Sequence, residues 1–332
     1  MESMGKIMNT NFWKGKRVLI TGYEGFVGSW LSRTLLKKGA NVFGVDIKTY
    51  RKETILTAGE LNLIKIIKGN VENFGLVFNT IKQNDIEIIF HLAARSLVGD
   101  CLENPLRTFK TNIQGTWNIL EASRITKSVK TIVIASSDKA YGEHKKLPYK
   151  EETPLQGNHP YDVSKSCADL ITQMYFHTFG LPVVITRCGN IYGPGDFNFS
   201  RLIPDAIRCA LLDKTFLIRS DGKFIRDYIY IEDVINGYIL LVEKFEKMKL
   251  AGESFNFSNE KPISVLTLVK KIYKILQKKP NYRILNETKY EIKHQYLSSK
   301  KAKRILGWLP EYSVEEGLKE IIRWYKNYFI ND

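Results

Sequence analysis

Tyr161 and Lys165 lie four residues apart in the segment YDVSK, so on a helix a phenol and an ammonium share one face. A cation close to a tyrosine stabilises phenolate, and a phenol lowered in this way can act as a general base near neutrality. Far upstream, ITGYEGFVGSW follows a β-branched run, opens an amphipathic stretch and spaces glycines as Gly22, Gly25 and Gly28. The first permits a tight turn, the second lets backbone approach a pyrophosphate, and the third allows close packing of helix on sheet. The helix N-terminus attracts the phosphates. About 20 residues on, Asp46 ends the next β-branched run, where a carboxylate accepts from a ribose 2′-hydroxyl and repels a 2′-phosphate. That favours NAD over NADP, whereas the neighbouring Lys48, Arg51 and Lys52 pull the other way.

The elements that must position these residues are legible as an alternation. Short apolar runs, RVLITG from Arg17, NVFGVD from Asn41, LIKIIKGN from Leu63, IEIIFHLAA from Ile86, TIVIASS from Thr131 and PVVITRCG from Pro182, are separated by helical patterns such as GFVGSWLSRTLLKKG. Nearly all-apolar strands separated by helices predict an α/β fold: a Rossmann-type, doubly wound parallel sheet covered on both faces, with right-handed crossovers. From about Gly189 the pattern changes to loops rich in Gly, Pro, Asp and Arg, then helices near 202–213, 233–246, 264–278 and 314–329, the last opened by the capping-box residues Ser313 and Glu316. SFNFS, from Ser254, reads as one more strand of the sheet. The expected division is an NAD-binding lobe over 1–188, joined by 254–258, and a smaller C-terminal substrate-binding lobe over 189–253 and 259–332.

Fifty basic against 35 acidic residues leave a net charge of +15, which suits a polyanionic ligand or reflects a lysine-rich composition. No arginine-rich arm, helix-turn-helix pattern or zinc-finger spacing accompanies the charge, so nucleic acid is not expected as a partner. Cys101, Cys167, Cys188 and Cys209 form no CxxC pair, which argues against a metal site and for reduced thiols. Without a signal-peptide core or a long apolar run, the expectation is a cytoplasmic protein with no membrane partner.

Taken together, the TGxxGxxG opening, HLAA at His91–Ala94, Asn112, the serine-rich strand end and YxxxK resemble the extended short-chain dehydrogenase/reductase family along essentially the whole chain. The resemblance implies NAD held by Gly22, Gly25, Phe26, Val27, Gly28, Asp46, Asn70, Val71, Leu92, Ala93, Ala94 and Asn112. Asn70 stands where the family usually has an aspartate. It further implies that Tyr161 is the acid/base on a sugar hydroxyl, that Lys165 also holds the nicotinamide ribose, and that Ser136 or Ser137 binds the reacting oxygen. Within the family, epimerases look like SSxxVYG after that strand, and sugar 4,6-dehydratases carry Thr-Asp-Glu. The Ser137-Asp138-Lys139 found here is similar to the version in dehydratases acting on CDP-glucose.

In that chemistry, oxidation at sugar carbon 4 acidifies the proton on carbon 5 and permits loss of the carbon 6 hydroxyl, and hydride returns to carbon 6. Asp138 would protonate the departing hydroxyl and Lys139 would take the carbon 5 proton. A lysine base must be neutral, which requires burial or neighbouring cations. The resemblance places Asn190 beside the diphosphate of a nucleotide sugar, with Arg201 and Arg226 as guanidinium partners for the phosphates and Arg219 as a lesser one. His91, His159 and His294 read as packing or loop residues. Segments near 106–124 and 161–178 resemble those that pair across dimers in the family, so a homodimer is expected. Two other readings share the first half of the reaction or none of it: a nucleotide-sugar 4-epimerase or decarboxylase, and a non-catalytic NAD-binding scaffold.

Overall fold

The computed structural model describes residues 12–50, 53–288 and 291–331, so Arg51 and Lys52 lie outside the described residues. Six strands come first in the chain: β1 (Arg17–Thr21), β2 (Asn41–Asp46), β3 (Lys65–Lys68), β4 (Ile88–His91), β5 (Thr131–Ala135) and β6 (Val183–Cys188). With Ser254–Phe257 they form one seven-stranded sheet, ordered from Ser254–Phe257 through β6, β5, β4, β1 and β2 to β3. Every pairing in it is parallel.

The inner strands are largely apolar because both faces are covered, whereas the edge strand β3 carries the exposed Lys65 and Lys68. Alternate residues point to opposite faces. Val18 and Ile20, Ile88 and Phe90, Val133, and Val184 therefore enter one core. Their neighbours Leu19, Ile89, Ile132 and Ile134, and Val183 enter the other. The first core does not stop at the sheet: it continues into the helices Leu202–Leu211, Ile231–Lys244, Val265–Ile275 and Val314–Asn331. Tyr238, on the second of these, stacks on Phe90 of β4 with ring centroids 6.2 Å apart and accepts from Thr186 Oγ1 of β6 at 3.2 Å. The C-terminal half is thus welded to the sheet by shared apolar packing. The capping box opening the last helix is formed in full, with Ser313 N–H donating to Glu316 Oε2 at 2.8 Å and Glu316 N–H to Ser313 Oγ at 3.2 Å.

The order reverses between β1 and β4, which are neighbours in space and far apart in sequence. At such a switch point the loops leaving the two strands diverge to opposite faces and open a crevice at the carboxyl ends of the strands. Among the described residues no helix is long and apolar enough to cross a membrane. All four cysteines are unpaired.

One buried ion pair ties β6 to the helix Pro160–Phe179. Arg187 of β6, with 2% of its side chain exposed, meets the fully buried Asp169 through Nε and Nη2 at 2.8 Å each. Its Nη1 also donates to Tyr141 Oη and to the Glu151 carbonyl, both at 2.9 Å. Removing one partner strands the other charge in a site without water. Asp169→Asn is therefore expected to destabilise the fold by about 3–5 kcal/mol in urea unfolding, and the double change Asp169→Leu/Arg187→Met to recover most of that loss.

Candidate active site

The glycine turn sits at the carboxyl end of β1. Gly22 has φ +72°, open to glycine and strained for other residues, and a Cβ there would lie 3.1 Å from the Ala93 backbone. Gly25 is the N-cap of helix α1 (Phe26–Lys37), and no side chain caps that end. A Cβ on Gly28 would come 2.0 Å from the Gly22 carbonyl oxygen, so the third glycine is required by closeness to the turn itself rather than to the sheet. The result is a bare helix N-terminus with Phe26 and Val27 in its first turn, facing the crevice between β1 and β4. These features fit a dinucleotide pyrophosphate. Asp46 ends β2 buried, with Oδ1 accepting from the Lys48 N–H at 3.2 Å. Asn70, beyond β3, is half-buried and uses Oδ1 to accept from the Glu72 N–H at 3.0 Å; Val71 beside it is in the second core.

A buried chain of hydrogen bonds holds the loop after β4. Thr21 Oγ1 accepts from the Leu92 and Ala93 N–H groups at 3.2 and 3.1 Å. The Thr116 hydroxyl donates to the Asn112 carbonyl at 2.6 Å, so its oxygen accepts from His91 Nε2–H at 3.2 Å. His91 Nδ1 is then left to accept from Thr21 Oγ1 at 2.8 Å. Burial, helped by the charge of Lys165, pushes the His91 imidazole down to about 3, so it stays neutral. His91 is a packing and hydrogen-bonding residue, as its sequence context predicts.

Asn112, expected from the resemblance beside the cofactor, has well-defined protein partners. It lies on the π-helical turn Lys110–Gln114 and is 2% exposed. Its Oδ1 accepts from the Arg95 N–H at 2.8 Å, and its Nδ2 donates to the Arg95 carbonyl at 3.0 Å and to Ser164 Oγ at 2.9 Å. Its carboxamide thus clamps the loop carrying Leu92–Ala94 to the helix Pro160–Phe179, because the π turn brings it inward between them.

That helix carries the YxxxK pair and is fastened by three consecutive residues. Ser164 meets Asn112, Lys165 Nζ donates to the Ala135 carbonyl at the end of β5 at 2.7 Å, and Ser166 Oγ donates to the Ala140 carbonyl at 2.7 Å. Successive helical residues point about 100° apart, so the three bonds hold from three directions. Tyr161 is left one turn away, with Lys165 Nζ 6.0 Å from its ring centroid. Burial raises the Tyr161 phenol, while the hydrogen bond with Ser137 and the charge of Arg201 favour phenolate. On balance the phenol stands above its ordinary value, not below it as the YxxxK spacing predicts, while the Lys165 ammonium donates to Ala135 and is itself pushed down to about 8 by burial.

Beyond β5, residues 138–141 form one 3-10 turn capped by Ser137, whose Oγ accepts from the Lys139 N–H at 3.2 Å and donates to Asp138 Oδ1 at 3.0 Å. Of the two serines left open by sequence, Ser137 is the one in reach of Tyr161. Asp138 is 3% exposed, and its Oδ2 has no partner among the described residues. Burial raises the Asp138 carboxyl and lowers the Lys139 ammonium, with the Arg226 charge lowering Lys139 further. Both shifts favour the uncharged pair, a carboxylic acid next to an amine.

The C-terminal half supplies the opposite wall. Arg226, buried over the Phe224 ring, donates to the Ile225 and Lys293 carbonyls at 3.0 and 3.2 Å and to Glu291 at 3.1 Å. It is held beside the Asp138–Lys139 pair rather than left open. Arg201 pairs with Asp196 at 3.1 Å and keeps 36% of its side chain exposed. Asn190 donates through Nδ2 to the Asp227 carbonyl at 3.1 Å, and Arg219 is exposed. Two residues were not found from sequence. Asp162, next to Tyr161, is buried and pushed up to about 6 by burial, near both Lys139 and Asp138; its place in the YDVSK motif was the available signal. Gln295, fully buried, accepts from Lys139 Nζ at 2.5 Å, and nothing in the sequence links residues so far apart. Among the described residues no cluster of three His, Cys, Asp or Glu side chains could hold a metal.

The family model described as GDP-mannose 4,6 dehydratase matches residues 19–321. The chain is 32% identical to a CDP-glucose 4,6-dehydratase of Salmonella typhimurium over 96% of this chain and 93% of the relative. It is also 32% identical to a UDP-glucuronate 4-epimerase of Thermodesulfobacterium geofontis, over 93% and 95%. A crystal structure of a dTDP-glucose 4,6-dehydratase from Streptomyces venezuelae with NAD bound superposes with a TM-score of 0.85 at 28% identity, covering 94% of this chain and 97% of that one. Since the matched stretch contains the glycine turn, the serine-rich strand end and the helix of Tyr161, the chain belongs to the GDP-mannose 4,6-dehydratase family of extended short-chain dehydrogenases/reductases.

Proposed function

We propose that this chain is a nucleotide-diphosphohexose 4,6-dehydratase acting on CDP-glucose, with NAD as its cofactor. The observation that carries the reading is the buried Asp138–Lys139 pair joined to Tyr161 through Ser137. An epimerase needs the redox half of the site and has no use for a second acid and base. Its claim here rests on the equal identity to the UDP-glucuronate 4-epimerase.

Bound NAD supplies a hydride acceptor and donor that ends the cycle in its starting state. Tyr161 takes the proton of the carbon 4 hydroxyl while Ser137 holds the same oxygen, and Lys165 orients the nicotinamide ribose. The carbon 4 ketone acidifies carbon 5. Lys139, as an amine, takes that proton, and Asp138, as an acid, gives its own to the carbon 6 hydroxyl, which leaves as water. Lys139 returns a proton to carbon 5 as carbon 6 becomes a methyl group. Lobe 189–253 with 259–332 seats the nucleotide sugar against lobe 1–188, and Asn190, Arg201 and Arg226 face its diphosphate. A cytoplasmic setting agrees with the four unpaired thiols. A homodimer agrees with the apolar side chains exposed on the two neighbouring helices: Leu106 at 67%, Trp117 at 43%, Leu170 at 53% and Met174 at 43%.

Three outcomes follow. Asp138→Asn should keep the first oxidation and slow formation of the 4-keto-6-deoxy sugar by about 10²–10⁴-fold; unchanged conversion by product NMR removes the assignment. The elimination rate should rise with pH as Lys139 loses its proton, from a value below that of ordinary lysine, and fall as Asp138 loses its own, above the ordinary carboxyl range. Light scattering should give a dimer for the native chain and a monomer for Trp117→Glu/Leu170→Glu.

A further inference from the structure

The amine of Lys139 does not hang free in the crevice. Its Nζ donates to Gln295 Oε1 at 2.5 Å, across 156 positions of sequence and from the sheet to the C-terminal segment. An ammonium or amine offers hydrogens here, so the carboxamide must present its oxygen. Gln295 is 0% exposed, and its Nε2 is buried with no protein acceptor among the described residues. The backbone around it is fixed on two sides. Gln295 N–H donates to the Ile225 carbonyl at 3.1 Å, Tyr149 N–H to the Tyr296 carbonyl at 3.0 Å, and Ser298 N–H to the Tyr149 carbonyl at 2.8 Å. A side chain so anchored can impose a position on a flexible four-carbon lysine.

We propose that Gln295 is a positioning residue for Lys139: its neutral carbonyl holds the nitrogen in one place through the whole proton cycle and turns the lone pair of the amine toward the sugar. The inference rests on the reading of Lys139 as the carbon 5 base. A carbonyl accepts a hydrogen from both –NH3⁺ and –NH2, so it anchors the group in either state and favours the charged one far less than a carboxylate at the same place would. With one N–H directed to Gln295, the lone pair of the neutral amine points elsewhere. When the carbon 5 C–H bond breaks, its electron pair moves onto the carbon 4 oxygen as enolate and its proton joins that lone pair. The charged groups facing Lys139 are Asp138 from its own turn, Arg226 from the strand Ile225–Arg226, Asp162 from the helix of Tyr161, and Glu291 from the C-terminal segment. Nε2 of Gln295 and Oδ2 of Asp138 are both buried without a partner among the described residues.

The test compares Gln295→Glu and Gln295→Leu with the native enzyme on CDP-glucose, following the C6 methyl product by NMR and reduced nicotinamide by absorbance. In Gln295→Glu the added negative charge stabilises the ammonium. The limb of the pH–rate profile that reports loss of the Lys139 proton should move to higher pH by about 1–3 units, with KM little changed. Gln295→Leu should lower kcat about tenfold or more and let reduced nicotinamide accumulate, because oxidation outpaces elimination. In a Lys139→Met background the Glu substitution should have no further effect. An unmoved pH limb in Gln295→Glu, or an equal rate loss with and without Lys139, overturns the inference while leaving the dehydratase reading intact. A native enzyme that yields no C6 methyl product overturns that reading, and this inference with it.

Discussion

Every group in the crevice depends on parallel pairing of the strands. Because all seven run the same way, their carboxyl ends emerge on one edge, and the loops that leave them converge there whatever their separation in sequence. The glycine turn leaves β1, Asp46 closes β2, Leu92–Ala94 leave β4, Ser137–Lys139 leave β5 and Asn190 follows β6. A single reversed strand would carry its loop to the far side of the molecule.

Convergence alone sets positions only roughly, and hydrogen bonds from buried residues refine them. Asn112 joins the loop after β4 to the helix of Tyr161, and the bonds from Lys165 and Ser166 join that helix to the end of β5 and the turn beyond it. These contacts decide where the phenol stands. Desolvation then sets the chemistry. The same exclusion of water that raises Asp138 lowers Lys139, so one physical cause moves both residues away from a simple ion pair.

The C-terminal half contributes less by bulk than by what it places over the pair. The segment carrying Gln295 is held against Ile225 and Tyr149, and Arg226 is fixed by bonds from Nη1 to the Ile225 and Lys293 carbonyls and from Nη2 to Glu291. An arginine so engaged acts through its field as much as through contact, which is why Arg226 enters the electrostatics of both Asp138 and Lys139.

By itself the sequence determined the elements and the local motifs. Strand boundaries, the glycine turn, the acid at the end of β2 and the YxxxK spacing are all short-range patterns, set by side-chain periodicity and by backbone angles that few residues tolerate. Only the tertiary structure decided that Ser137 meets Tyr161, that Asn112 clamps the loop after β4 to the helix of Tyr161, that Lys165 donates to Ala135, and that Gln295 meets Lys139. Each of these depends on the direction of a side chain relative to a partner distant in sequence. Burial, which moves the titrating groups most, is a property of the packed molecule and has no counterpart in local residue order.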